Sequence, residues 1–200
     1  MRCPSGHPCV AAVIDLAMSP LARLRPKVVG KARGRVLELG VGTGLNFAHY
    51  GDAVDEVVGV DPDPHMLRRA APRAQAAAVP VSLRQVGAEA MELDGRFDTL
   101  VLTWVLCTIP DVQTALERAV SQLRPDAQVL WVEHTLSPHA VIAAGQRVVD
   151  PLWTRLAGGC HLTREPVAAL EAAGVASLDV RPCGSTWSPV PVFRGVGRVR

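Results

Sequence analysis

No stretch of the 200-residue chain approaches the roughly 20 consecutive apolar residues that span a bilayer, so no integral membrane segment is expected. Lys and Arg form no extended cluster and the formal net charge is only +2, which leaves no electrostatic footprint for nucleic acid. The N-terminus lacks the charged, apolar and cleavable order of a signal peptide. The five cysteines are an odd number and widely scattered. They describe no disulfide framework and fit reduced thiols, so a cytoplasmic protein is expected. Internal repeats and low-complexity linkers are also missing. What is left is one domain, residues 1–200, with enough chain to bury a sizeable core.

One more absence is informative. Arg35 to Asn46 reads Arg-Val-Leu-Glu-Leu-Gly-Val-Gly-Thr-Gly-Leu-Asn: a short apolar run of the kind that forms a buried parallel strand, then alternating glycines. From Leu45 the chain is expected to wind into a helix. Glycines at a strand-to-helix turn bring bare backbone close to a ligand. A dinucleotide fingerprint, G-x-G-x-x-G, would need glycine at position 45, which is Leu45. Nicotinamide cofactors are therefore not expected. The spacing is instead E-x-G-x-G-x-G from Glu38 to Gly44, and it resembles the first motif of class I S-adenosylmethionine-dependent methyltransferases. The resemblance implies S-adenosylmethionine as cofactor. Gly40, Gly42 and Gly44 would pass under its methionine and ribose, Glu38 would lie near its amino end, and Asn46 would close the loop. Asp61 ends the next strand, Val57 to Val60, and suits two charge-assisted bonds from ribose hydroxyls. Asp63, with Pro64 behind it, already provides the cap of the following helix.

The rest of the chain alternates strand and helix. A helix from Pro64 is expected to end or kink at Pro72. Strands follow at Val81 to Val86, Phe97 to Thr103 and Val129 to Val132, with an Asp111-capped helix between the last two and a turn at Arg124-Pro125-Asp126. A longer helix from Ser137-Pro138 should be interrupted at Asp150-Pro151, and Thr163 should cap a short helix ending at Ala173. Two strands, about Ala176 to Val180 and Pro191 to Val196, close the chain. This order predicts an α/β fold with a doubly wound, mostly parallel sheet. Class I methyltransferases complete it to seven strands with a C-terminal antiparallel hairpin. Residues 1–32 form a lead-in, with helical turns at Val10 to Met18, of the kind that closes over the cofactor in this fold. Cys3, His7 and Cys9 lack a fourth ligand nearby, so no metal site is expected.

Further segments narrow the resemblance: Val105-Leu106-Cys107-Thr108-Ile109-Pro110-Asp111, Glu133-His134, Asp150-Pro151-Leu152-Trp153 and Gly159-Cys160-His161-Leu162-Thr163-Arg164-Glu165. With Gly40 to Asn46 and Asp61-Pro62, they resemble the methyltransferase-like seven proteins, a thiol S-methyltransferase family, over roughly residues 33–180. The resemblance implies methyl transfer to a small-molecule thiol, with Pro62 and Trp104 added to the cofactor contacts. It departs in two places. The animal members begin with a hydrophobic anchor that this chain lacks. Their Gly-Asp-Ala-Glu after strand three, whose aspartate meets the adenine amino group, is here Val86-Gly87-Ala88-Glu89, leaving adenine to Gly87, Ala88 and Glu89. An acceptor thiol must lose its proton to become the nucleophile. His134, at the carboxyl end of strand five, is the first candidate base. Asp150 and His161 are the second, while Arg164 either holds an acidic acceptor or pairs with Glu165 or Asp150. Cys107 and Cys160 lie near the same edge, where small buried hydrophobes are the commoner role. Other acceptors stay open: a phospholipid or quinone, with Arg23, Arg25 and Lys27 meeting a membrane surface, or arsenite, which needs converging cysteines. So does non-catalytic cofactor binding. The Asp/Asn-Pro-Pro-aromatic run of amino-nucleobase methylation is absent at Thr103-Trp104-Val105-Leu106.

Overall fold

A computed structural model describes residues 15–16 and 18–200. The expected irregular terminus with Cys3, His7 and Cys9, and most of the expected turns at Val10 to Met18, lie outside the described residues. The strands are β1 (Gly34–Leu39), β2 (Val54–Val60), β3 (Val81–Arg84), β4 (Phe97–Thr103), β5 (Leu123–His134), β6 (Val175–Pro182) and β7 (Val192–Val199). They form one seven-stranded sheet in the order β3-β2-β1-β4-β5-β7-β6. Pairings among β1 to β5 are parallel, and β7 lies antiparallel between β5 and β6. The strand order reverses between β1 and β4, which places a ligand crevice beyond their carboxyl ends.

The sheet is buried on both faces, so β1, β4 and β5 show no polar side. Alternation along each strand divides the core in two. Leu37, Leu39, Leu100, Leu102, Val129 and Trp131 face one layer with Leu116 and Leu170. Val36, Val57, Val101, Leu130 and Val132 face the other with Val28, Val29, Phe47 and Tyr50. The helices are α1 (Arg25–Val29), α2 (Pro64–Gln75), α3 (Val112–Ser121), α4 (Ala140–Leu156) and α5 (Pro166–Ala172). Asp63 caps α2 through the His65 N–H at 2.7 Å, and Asp111 caps α3 through the Thr114 N–H at 3.0 Å.

Several expectations are corrected. No helix grows from Leu45; a single 3-10 turn, Phe47–His49, stands there. Tyr50, bonded to Glu38, draws the chain back toward β1 before a helix can propagate. Helix α2 runs through Pro72 to Gln75; the carbonyl that Pro72 leaves without its N–H partner is that of exposed Arg68. Helix α4 is continuous across Asp150-Pro151. The carbonyl freed by Pro151 is that of Arg147, an exposed residue on the outer side of the helix. Thr163 caps nothing; α5 begins at Pro166 after Glu165. Arg124-Pro125-Asp126 is an irregularity inside β5, with Asp126 at φ 61°, and not a separate turn. Arg25 is buried and offers nothing to a membrane. The outer side of α4 exposes Val141, Val148, Leu152 and Leu156, and no helix among the described residues is long and apolar enough to cross a membrane.

Candidate active site

The glycine loop leaves β1 with Gly40, Gly42 and Gly44 all at positive φ. A Cβ at Gly40 would lie 2.2 Å from the Val105 side chain, so only glycine lets the two loops meet. Among the described residues, a Cβ at Gly42 would meet nothing within 4 Å, so none of them covers the loop backbone at that point. Asp61 stands beside it. One carboxylate oxygen accepts the Gly42 N–H at 2.9 Å and the other the Asp63 N–H at 2.9 Å. Each oxygen keeps a further lone pair. Burial raises the Asp61 pKa, although both backbone donors oppose the rise. Pro62 follows directly and leads to the α2 cap. An open glycine cradle with a carboxylate at its rim fits the ribose and methionine of S-adenosylmethionine.

Glu38 sits beneath this loop and not in it. It is 1% exposed, its Oε1 accepts from Asn46 Nδ2 at 2.8 Å, and its Oε2 accepts from the Tyr50 hydroxyl at 2.5 Å. Asn46 is also consumed: it donates to Thr103 Oγ1 at 2.9 Å and accepts from Arg25 Nη1 at 2.7 Å. Burial pushes the Glu38 carboxyl up to about 7 against those hydrogen bonds and the Arg25 charge. Arg25, Tyr50 and Thr103 were not legible as site residues, because only the tertiary fold brings them to Asn46. Asp15 and Arg73 were missed for the same reason. Asp15 accepts from Thr43 Oγ1 in the glycine loop and from Arg73 Nη2 at 2.7 Å, while Arg73 Nη1 reaches the Thr43 carbonyl at 2.7 Å.

Beyond β3, Gly87 precedes the 3-10 turn Ala88–Ala90, and Ala88 is buried. A Cβ at Gly87 would lie 3.3 Å from Glu89 Oε2. The Glu89 carboxylate thus stands over the position where the related pattern carries aspartate. Trp104, at the end of β4, is held at φ 59°. Its N–H bonds the Val132 carbonyl at 3.0 Å, and its Nε1 is buried without a hydrogen-bond partner among the described residues. The next two N–H groups, of Val105 and Leu106, converge on Glu133 Oε1 at 2.8 and 3.2 Å. Burial lifts Glu133 to about 7 against these donors.

The loops after β4 and α4 meet at the end of β5. The His161 N–H bonds the Cys107 carbonyl at 2.9 Å. His134 Nε2 lies 3.2 Å from Cys160 Sγ, and Cys107 Sγ joins them, so that the three donor atoms lie within 4.8 Å of one another. These three residues are far apart in sequence, and only the fold brings them together. The Cys107 thiol donates to the Trp104 carbonyl at 3.8 Å. The neighbouring Cys107 holds Cys160 below the ordinary thiol range despite burial, with His134 and Trp153 helping; Cys107 itself is pushed well up. Burial opposes a proton on His134, yet the bond and charge of Cys160 raise its pKa. His134 is 8% exposed. Beside it, His161 Nδ1 lies 3.1 Å from Asp150 Oδ2, and its side chain is 38% exposed. Asp150 Oδ1 accepts the Leu162 N–H at 2.5 Å. Burial would raise Asp150, but the bonds from His161 and Leu162 keep it low. With the Nδ1 proton turned to Asp150, His161 Nε2 keeps its lone pair. Among the described residues Arg164 bonds neither Asp150 nor Glu165; its Nη2 donates to the Ile109 carbonyl at 2.8 Å and fastens the β4 loop.

Comparison with known proteins follows the same outline. A methyltransferase domain model matches residues 37–131. Human thiol S-methyltransferase TMT1B is 32% identical over 168 residues, covering 80% of this chain and 68% of the human protein. The chain spans 66% of the length of the rat TMT1B it also matches, about two thirds of these relatives. The phosphatidylethanolamine N-methyltransferase of Cereibacter sphaeroides is 32% identical over 119 residues, 58% of each chain. Among solved structures, N-methyltransferase NodS from Bradyrhizobium japonicum in complex with S-adenosyl-l-homocysteine superposes with a TM-score of 0.65 at 17% identity, over 92% of this chain and 85% of that one.

Proposed function

The chain belongs to the methyltransferase domain family, the class I S-adenosylmethionine-dependent methyltransferases, and from that premise we propose that it methylates the sulfur of a small-molecule thiol. The observation that carries the choice of acceptor is the likeness to human TMT1B across 80% of the chain.

S-adenosylmethionine supplies an electrophilic methyl group on a sulfonium. The protein's share is position, electrostatics and proton removal. Asp61 accepts the ribose hydroxyls, Gly40 to Gly44 give the backbone floor, and Glu89 with the Gly87 and Ala88 backbone takes the adenine edge. Arg25, held against Asn46, places a positive charge for the methionine carboxylate, and Trp104 walls the cleft. His134 was the first candidate base from sequence, but it is buried and engaged with Cys160. We therefore assign thiol deprotonation to His161 Nε2, on a side chain that is 38% exposed and whose Nδ1 faces Asp150. Arg164 orders the β4 loop and is not assigned to the acceptor.

Calorimetric titration with S-adenosylmethionine, followed by turnover assays over small thiols, amines, phenols and phospholipid headgroups, tests the reading. Cofactor binding with methylation confined to thiols is expected. Turnover of an amine or phenol with no thiol reacting would overturn the acceptor, and absence of cofactor binding would overturn the whole.

A further inference from the structure

We propose that Cys107 Sγ, His134 Nε2 and Cys160 Sγ are the protein ligands of a site for one thiophilic divalent cation of the zinc class. The three atoms lie within 4.8 Å of one another, with the His134–Cys160 pair at 3.2 Å. Zn–S bonds near 2.3 Å and Zn–N bonds near 2.0–2.1 Å set tetrahedral ligand atoms roughly 3.5–3.8 Å apart, so small side-chain movements complete the geometry. Two sulfurs and an imidazole select a borderline-soft cation over magnesium or calcium, which want oxygen.

The ligands sit on separate segments that the protein already holds together. Glu133 accepts two N–H groups of the loop leading to Cys107, the His161 N–H grips the Cys107 carbonyl, and Thr154 Oγ1 donates to the Cys160 carbonyl at 3.2 Å. Three protein ligands leave one tetrahedral position free, the pattern of an open site. Cys107 and His134 are buried and Cys160 half-buried, so the free position is reached from the Cys160 side, where His161 also stands. Solvent fills that position at rest. The next step rests on the thiol reading above. The acceptor thiol gives its proton to His161 Nε2, its sulfur forms a bond to the cation, and the solvent ligand leaves as water. The sulfur is then held as a thiolate at neutral pH.

The test uses the full chain, reduced and stripped with chelator, without acceptor or cofactor. Titration with Cd2+ is followed by thiolate-to-metal charge-transfer absorption, and Zn2+ is used as competitor. One equivalent should bind with two-thiolate absorption. Cys160→Ser and Cys107→Ser should each lose about half of that absorption and weaken binding beyond the roughly 10–100-fold typical of an outer-shell loss. His134→Ala should weaken binding and keep the absorption. A triple variant, Cys3→Ser/Cys9→Ser/Cys183→Ser, should behave as wild type. Thermal unfolding identifies folded variants, and half-buried Cys160→Ser carries the test if Cys107→Ser does not fold. Lack of charge transfer in the wild type overturns the site, as does wild-type affinity in Cys160→Ser. So does recovery of the chain as a Cys107–Cys160 disulfide that takes up no cation. Cation binding with no thiol turnover would uphold the site and sink the thiol reading. Undiminished thiol turnover by the chelated protein would uphold that reading and overturn the cation's part in it.

Discussion

Asp61 carries two tasks with one carboxylate. It pins the Gly42 N–H and, in the function proposed above, accepts the ribose hydroxyls with its remaining lone pairs. Asp61→Ala removes both, at about 1.5–3 kcal/mol for each charge-assisted bond lost. Calorimetry should show S-adenosylmethionine binding weakened by at least ~10-fold, which is the fold-change of one such bond. In the function proposed above, His161 works on the acceptor side. An alkyl thiol with pKa near 8.5 is only a few per cent ionised at pH 7. His161→Ala should slow thiol methylation about 10²-fold near neutral pH, with part of the loss recovered at alkaline pH, where solvent ionises the thiol. Cofactor affinity should not change. An equal deficit at every pH would mean that the histidine only supports the loop. Both residues are visible in the sequence as types at strand and loop ends. The choice of His161 over His134 is not, because it depends on which imidazole Cys160 occupies.

Between elements, the described start of the chain is tied to the glycine loop by Asp15. It accepts from Thr43 and from Arg73 of α2, and Arg73 and Thr43 pull its carboxyl below the usual range against burial. The pair is only partly buried, so its worth to overall stability is modest. Its leverage is on the loop it holds. Asp15→Ala should weaken cofactor binding several-fold while moving the unfolding midpoint by no more than a few degrees; unchanged affinity would show that the contact does not shape the cradle. The same loop ends in a 3-10 turn at Phe47–His49 and opens no helix, so there is no helix N-terminus to seat a pyrophosphate. Titration with NAD and NADP should show no binding in the micromolar range, and measurable affinity for either would contradict this reading of the turn.

At the scale of the whole molecule, stability is linked to the buried carboxyls under the cleft. Glu38 holds a folded pKa of about 7 against an ordinary 4.5. The folded state therefore binds a proton that the unfolded state has released between those values. Its contribution is fully present below about pH 4.5 and is lost as pH rises through about 7. Glu133, also lifted to about 7, acts in the same direction. Asp15 and Asp150, both held low, act oppositely and lose their contribution in acid. In the ligand-free protein, Glu38→Gln should flatten the fall of the unfolding midpoint between pH 4.5 and 7 relative to wild type, as followed by thermal melts across buffers. A slope unchanged in that window would show that Glu38 does not titrate there. The sequence by itself determined the alternation of strands and helices, the turn of the glycine loop after β1, and the capping by Asp63 and Asp111. Each rests on residues adjacent in the chain, where periodicity, backbone freedom and local hydrogen bonding decide the outcome. Tertiary structure alone decided that Asp150-Pro151 stays helical, that Arg25 and Tyr50 join Glu38 beneath the loop, and that Cys107, His134 and Cys160 meet. Those outcomes depend on which carbonyl faces water and which loops the sheet brings to one edge, and neither is set by residues near one another in sequence.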